Sequence, residues 1–248
     1  MLLETELVPY SLSVPPGERV LVLAPHPDDE TFGMGGSLRL LTESGKRVKV
    51  LVLTAGEKAD AKTNDRQKYS SSREKEAVKA FRMLGVTEYE FLRFPDRELL
   101  SHRDAVQEAI NAIVSEFVPD VIYSPSSIEL HPDHRIAGGL AYELSRREKA
   151  VRCIFYEITS PVRPNIIVDI SRTFKWKKKA MKCYSSQTKI LDYSGLMEAM
   201  SRYRTFTLGK GVKFAEAFWE LGNASEVQDV RMWLSYEMPL VANNTQCM

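Results

Sequence analysis

The chain lacks the features that would mark it for export, a membrane or a nucleic acid. Cysteine is sparse: Cys153, Cys183 and Cys247 are odd in number and far apart, with no CxxC pair. That excludes a disulfide framework and a thiolate zinc site, and it fits a reducing compartment. No apolar run approaches the ~20 residues that span a bilayer. The first twelve residues carry Glu4, Glu6 and Pro9, without a basic start or an apolar centre, so a secretory signal is not expected there. Neither sign of charge prevails. Lys and Arg total 34 against 33 Asp and Glu, a formal net charge of +1 that gives no electrostatic reason for a nucleic-acid partner. The local run Lys175-Trp176-Lys177-Lys178-Lys179 reads as a solvated helix face. Repeats, low-complexity tracts and linkers are absent too. One domain over 1–248 is expected, with its core at about 17–170 and a C-terminal extension packed on it. These absences together predict a soluble, cytoplasmic protein.

What is present is an alternation of strands and helices. Arg19–Ala24 is a short aliphatic run without polar alternation, which predicts a strand buried on both faces of a parallel sheet. Residues 35–41 predict a helix stopping at Gly45, and 48–54 a second strand. The polar stretch from Ala55 to Ser72 reads as a long mobile loop that covers a substrate. A helix follows from Ser72, with Ala77, Ala80, Phe81 and Leu84 on one face and Gly85 as its stop. Strands at 90–94 and 120–124, and helices at 103–117 and 132–147, continue the pattern. Residues 152–158 and 165–170 predict two more strands, and 175–183 a helix. This order predicts an α/β fold, a Rossmann-like three-layer sandwich with a mostly parallel sheet.

Histidine is scarce: His26, His102, His131 and His134 are all there are. Three of the four fall in two clusters, Ala24-Pro25-His26-Pro27-Asp28-Asp29-Glu30 and His131-Pro132-Asp133-His134. Each follows a predicted buried strand, and open α/β sheets bind ligands beyond the carboxyl ends of their strands. Neutral imidazole and carboxylate are the ordinary ligands of a borderline divalent metal, and a catalytic zinc takes three protein ligands and leaves a position for water. His26, Asp29 and His134 would supply that set. Asp28 then remains to take the proton of the water, and His131 to stabilise the oxyanion or protonate a leaving amine. Asp133 is placed to orient a histidine through its ring N–H. One HPD alone signifies little, because Pro and Asp at a helix start are explained by capping. Two such clusters after two buried strands are hard to reach by chance. A dinucleotide-binding reading fails, since Gly33, Gly35 and Gly36 have the wrong spacing and follow an acidic loop.

The same residues resemble the PIG-L/LmbE-like family of metal-dependent N-acetylglucosaminyl deacetylases. The resemblance rests on the two clusters and extends to Gly35-Gly36, Arg73-Glu74, Leu84-Gly85-Val86, Pro95-Asp96, Ser186-Gln187 and Ala215-Glu216-Ala217-Phe218. It implies a Rossmann-like fold and a divalent ion, usually Zn2+, held by His26, Asp29 and His134, with Fe2+ also accommodated. It implies Asp28 as general base and His131 as the oxyanion or acid histidine, and it matches Arg73 and Asp96 to positions that touch the sugar. Met34 and Tyr184 depart from the family pattern, which more often has Cys and His there. The substrate implied is a small amino sugar or its conjugate. Two rivals stand beside this reading: an amidase acting on a thiol, lipid or secondary-metabolite conjugate, and a non-catalytic binding module. Elsewhere, His102 reads as an exposed turn residue, Trp176, Trp219 and Trp233 as packing, and Arg202 and Arg204 as surface residues. Oligomeric state is not legible.

Overall fold

A computed structural model describes residues 10–60 and 63–221, together with Leu3 and Thr5. Eight strands form one sheet: β1 (Leu12–Ser13), β2 (Arg19–Ala24), β3 (Arg47–Thr54), β4 (Glu88–Phe94), β5 (Val121–Pro125), β6 (Arg152–Tyr156), β7 (Ile166–Asp169) and β8 (Ala215–Glu220). Their spatial order is β1-β7-β8-β6-β5-β2-β3-β4, and only β8 runs antiparallel to its neighbours. The helices are α1 (Asp29–Glu43), α2 (Arg66–Leu84), α3 (Arg103–Phe117), α4 (Pro132–Arg147), α5 (Phe174–Met181), α6 (Ser185–Thr188) and α7 (Tyr193–Tyr203).

The aliphatic strands read as they do because both sheet faces are covered. In β2, Val20, Val22 and Ala24 enter the core shared with α1, α2 and α5, whereas Leu21 and Leu23 enter the core shared with α3 and α4. In β3, Val48, Val50 and Val52 divide from Leu51 and Leu53 in the same way. Successive side chains point to opposite faces, so a strand covered by helices on both sides is apolar on both faces over its buried length. The result is the three-layer α/β/α sandwich expected from sequence. The chain runs outward from β2 through β3 to β4, then returns to β5 on the other side of β2 and continues to β6. That reversal opens a crevice at the carboxyl ends of β2 and β5.

Several local expectations are corrected. The first helix starts at Asp29, not residue 35, and so includes the second half of the acidic cluster; Asp29 and Glu30 favour a helix start through the dipole. It kinks at Met34 (φ −134°, ψ 23°), and the amides freed there need acceptors. Glu216 supplies them, accepting from Gly36 N at 2.9 Å and Ser37 N at 2.7 Å. Lys177 neutralises Glu216 at 2.7 Å and is only 2% exposed, so one lysine of the basic run is core while its neighbours Lys178 and Lys179 are solvated. The expected 55–72 loop is shorter, because Asp65 caps α2 by accepting from Lys68 N and the helix begins at Arg66. The first turns of α2 are polar and exposed, leaving no apolar period to betray them. The loop is also anchored: Lys58 N donates to Asp96 Oδ2 at 3.1 Å and Asp96 N to Glu57 Oε1 at 3.1 Å.

The C-terminal part is the least legible in sequence. Helices α6 and α7 and strand β8 are not among the predicted elements, and β8 fills the sheet between β6 and β7. Arg204, expected on the surface, is 3% exposed and pairs with buried Glu157, whereas Arg202 is exposed. Trp219 packs beside Phe155 with ring centroids 6.0 Å apart. Trp176 is half-buried beneath Arg39 and Lys179. His102 is half-buried at the start of α3 rather than exposed. Trp233 and Cys247 lie outside the described residues.

Candidate active site

The crevice is built by two turns, each following a buried strand. After β2, Pro25 O accepts from Thr54 N at 2.9 Å and from its hydroxyl at 2.8 Å, which ties the His26 turn to β3. His26 N then donates to Asp29 Oδ2 at 2.8 Å, folding the carboxylate back beneath the histidine. After β5, Pro132 occupies the first turn of α4, His131 is its cap, and His134 falls one turn inside.

These turns bring three candidate ligand atoms into a nearly equilateral triangle. His26 Nδ1 is 3.1 Å from Asp29 Oδ2 and 3.2 Å from His134 Nε2, and the third edge, His134 Nε2 to Asp29 Oδ2, is 3.3 Å. A tetrahedral ion with ligand bonds of about 2.0–2.1 Å sets its ligands about 3.3 Å apart, so the donor set fits a divalent metal in chemistry and in spacing. Among the described residues, a wider set with His131 beside His26 and His134 also brings ligand atoms within 4.8 Å of one another. The Asp29 triangle, with edges of 3.1, 3.2 and 3.3 Å, carries a negative charge that this three-histidine set lacks.

Behind the triangle lie three carboxylates that face its histidines. His26 Nε2 faces Asp96 Oδ1 at 3.3 Å and Asp133 Oδ2 at 3.4 Å. Asp133 is fixed in turn by accepting from Arg97 N at 2.6 Å and Leu99 N at 3.2 Å. His134 Nδ1 faces Glu129 Oε2 at 3.7 Å. Burial lowers both ring pKa values, but the carboxylates outweigh it: His26 is raised well above the usual histidine range, and His134 is raised to about 9, chiefly by Asp29. Burial would raise Asp29, yet the two histidines hold it well below the ordinary carboxylate range. Burial would raise Asp96 too, and His26 holds it instead at about 2.

His131 behaves oppositely. Burial, then the charges of His26 and His134, push it down to about 4, so the ring is neutral near pH 7. Its Nδ1 accepts from Asp133 N at 3.2 Å, which leaves the proton on Nε2 as a donor. Asp28 is buried and bound by Arg73, whose Nη2 donates to Oδ2 at 2.8 Å while Nη1 donates to Gly56 O at 2.8 Å. Burial raises the Asp28 pKa, and Arg73 counteracts that only in part. The pocket above these groups has a volume of about 190 Å³. Its floor is His26, Asp28, Asp29, Arg73, Asp96, His131 and His134, and its walls include Phe32, Arg97, Ile158, Thr159, Ile190 and Tyr193.

Residues 21–145 match the PIG-L model, described as GlcNAc-PI de-N-acetylase, a span holding both clusters and half of the chain. The chain belongs to the PIG-L family. Its relatives include the diacetylchitobiose deacetylase of Thermococcus kodakarensis, 30% identical with 68% of this chain and 70% of that protein covered. Another is a probable N-acetyl-alpha-D-glucosaminyl L-malate deacetylase of Bacillus cereus, 29% identical with 69% and 84% covered. Among solved structures, the N,N'-diacetylchitobiose deacetylase of Pyrococcus horikoshii superimposes with a TM-score of 0.75 at 26% identity, covering 88% of this chain and 89% of that one. A 4-carboxy-2-hydroxymuconate hydratase from Pseudomonas putida shares the fold at a TM-score of 0.68 and 20% identity, with 82% and 96% covered. The PIG-L fold alone therefore does not dictate the reaction.

All eight residues singled out in the sequence are brought together in this PIG-L pocket or directly beneath it. Asp133 faces His26 from beneath, and Asp96 also turns one oxygen to His26 while lining the pocket. Arg73 is buried against Asp28 rather than projecting from a helix surface. Tyr184 does not line the pocket; its hydroxyl donates to Glu30 Oε1 at 2.8 Å in the layer below. Burial raises that glutamate to about 7. Sequence reasoning passes over Glu129 and Gly56. Glu129, two residues before His131, offers only proximity as a signal.

Proposed function

We propose that this chain is a metal-dependent N-deacetylase that hydrolyses the acetamide of an N-acetylglucosamine-type sugar or its conjugate. The observation that carries the reading is the ligand triangle of His26, Asp29 and His134 beside Asp28, a carboxylate no ligand contact consumes. A zinc ion, or another divalent ion such as Fe2+, would supply an acidified water and polarise the acetyl carbonyl. The chain's own groups then divide the proton work. Asp28, raised by burial and oriented by Arg73, takes a proton from the attacking water and returns one to the departing amine. His131, neutral and donating from Nε2, faces the oxygen on which negative charge grows. Asp96 and Asp133 hold His26 by its Nε2, which would leave Nδ1 free to ligate an ion.

The sugar assignment draws on the relatives. The names of three of them specify diacetylchitobiose, an N-acetylglucosaminyl malate and an inositol 2-acetamido-2-deoxyglucopyranoside, which share an N-acetylglucosamine unit. The pocket offers Phe32 and Tyr193, stacked at 5.3 Å, as an apolar wall for a sugar ring. Among the described residues no helix is long and apolar enough to cross a membrane. Among the described residues Cys153 and Cys183 form no disulfide, which is compatible with a reducing compartment such as the cytoplasm. The test is acetate release from a panel of N-acetylglucosamine conjugates by protein stripped of metal and reloaded with zinc. Release that needs metal and disappears in His134→Ala upholds the proposal. Silence on sugars with turnover of another amide would transfer the chemistry to a different acyl acceptor.

A further inference from the structure

Glu129 is 1% exposed, deeper than any of the proposed ligands, and its carboxylate is surrounded by donors. Oε1 accepts from Ile158 N at 2.9 Å, Thr159 N at 3.1 Å and Ser160 N at 3.2 Å. Oε2 accepts from Thr159 N at 3.1 Å and from the Thr159 hydroxyl, and faces His134 Nδ1 at 3.7 Å. The ring of His134 is almost fully enclosed, and its Nδ1 has no hydrogen-bond partner. Leaving a buried ring N–H unmade is costly, so a carboxylate just beyond bonding distance is significant.

The loop that carries Glu129 is also tied to the helix that carries His134. Glu129 N donates to Ser126 O at 3.2 Å, and Arg135 Nη1 donates back to Glu129 O at 3.3 Å. Gly138 lets α4 lie against the same loop, since a Cβ there would stand 2.8 Å from Pro125 O and Ser127 N. The third proposed ligand and the pocket wall at Ile158 and Thr159 therefore share one anchor.

We propose that Glu129 is a positioning residue for His134, holding the imidazole proton on Nδ1 so that Nε2 faces the metal, and fixing the pocket wall at residues 158–160 with the same carboxylate. The inference rests on the metal set proposed above. Glutamine is the informative replacement. Three backbone N–H groups demand oxygen at the Oε1 position, so the amide NH2 takes the place of Oε2. There the Thr159 hydroxyl can turn to accept, but His134 Nδ1 then meets a donor. The ring must give up its Nδ1 proton and carry it on Nε2, the wrong atom for a ligand.

The test measures zinc affinity by chelator competition for wild type, Glu129→Gln and His134→Ala, with the visible spectrum of the cobalt-substituted proteins beside it. The expected result for Glu129→Gln is affinity lower by roughly ten- to a hundredfold, the usual loss when such a partner is removed, with an altered cobalt spectrum. The metal-free melting transition reports whether the variant folds. If it does not, nitrogen-15 NMR of zinc-loaded wild type decides, because His134 must show an Nδ1–H protected from solvent. Glu129→Gln binding zinc as tightly as wild type, or an unprotected Nδ1, overturns the inference while His134→Ala still weakens binding. Undiminished zinc binding by His134→Ala overturns both this inference and the metal set beneath it.

Discussion

Asp28 and Arg73 form a buried ion pair of 2.8 Å on the pocket floor, yet burial still holds the Asp28 carboxyl above its ordinary range. Burial thus leaves the charged form of this carboxyl less stabilised than it is in water, which would suit a base that must take a proton and then release it. Asp28 contributes no edge to the ligand triangle. Asp28→Asn should therefore bind zinc as wild type does while kcat falls about 10²–10⁴-fold, the usual contribution of a positioned base. Acetate release and chelator competition on one preparation check both halves. Undiminished turnover would remove Asp28 from the role.

His131 invites a different expectation. Its neutral ring donates from Nε2 and accepts at Nδ1 from its own helix start. His131→Ala should spare zinc binding and lower kcat about 10²–10³-fold, the loss typical of one oxyanion donor. Burst-free steady-state kinetics with KM near wild type would support an interaction made in the transition state. A loss of zinc instead would favour the wider ligand set that includes His131.

Metal uptake should be linked to protons. In the metal-free site the neighbouring carboxylates raise the pKa of both rings, His134 to about 9, and the two histidines hold Asp29 well below the ordinary carboxylate range. An ion displaces the protons from both rings. Raised histidine values mean that protons compete most below about pH 9, so zinc affinity should climb as pH rises from 6 to 8. Titration calorimetry in buffers of differing ionisation enthalpy counts the protons released. Zinc uptake without proton release would contradict the assignment of both imidazoles.

Much of this site is legible in the sequence because its signals are local. His26, Asp28 and Asp29 occupy one turn, His131 and His134 another, and the aliphatic runs of β2 and β5 announce the strands that carry them. What escapes notice depends on tertiary partners. Lys177 looks like its solvated neighbours until Glu216 arrives from 39 residues away to pair with it. Glu216 itself is explained only by the kink at Met34, whose freed amides it accepts. Arg204 likewise reads as surface because Glu157, its buried partner, is 47 residues distant. Strand β8 carries no period of its own beyond six residues, and its place between β6 and β7 is set by pairing alone. Charge on a sequence signals exposure only when the neutralising group is absent, and that group is seldom nearby in the chain.

Gly56 gives the sharpest probe of how the base is set. Its backbone is left-handed at φ +63°, which costs a residue with a Cβ about 1–2 kcal/mol. An added Cβ would stand 2.2 Å from Arg73 Nη1, 2.8 Å from Cζ and 3.0 Å from Pro27 Cδ. The guanidinium is the end of a flexible side chain, so it moves first and Asp28 loses its partner. Arg73 lowers the Asp28 pKa, so its withdrawal raises it further. Asp28 must be ionised to act, and a higher pKa removes the working form at a higher pH. In Gly56→Ala the acidic limb of kcat/KM should therefore shift to higher pH, with zinc affinity retained because no ligand moves. An unshifted limb in a folded, zinc-loaded variant would show that Arg73 does not tune the base, and would leave its buried pairing with Asp28 as a purely structural contact.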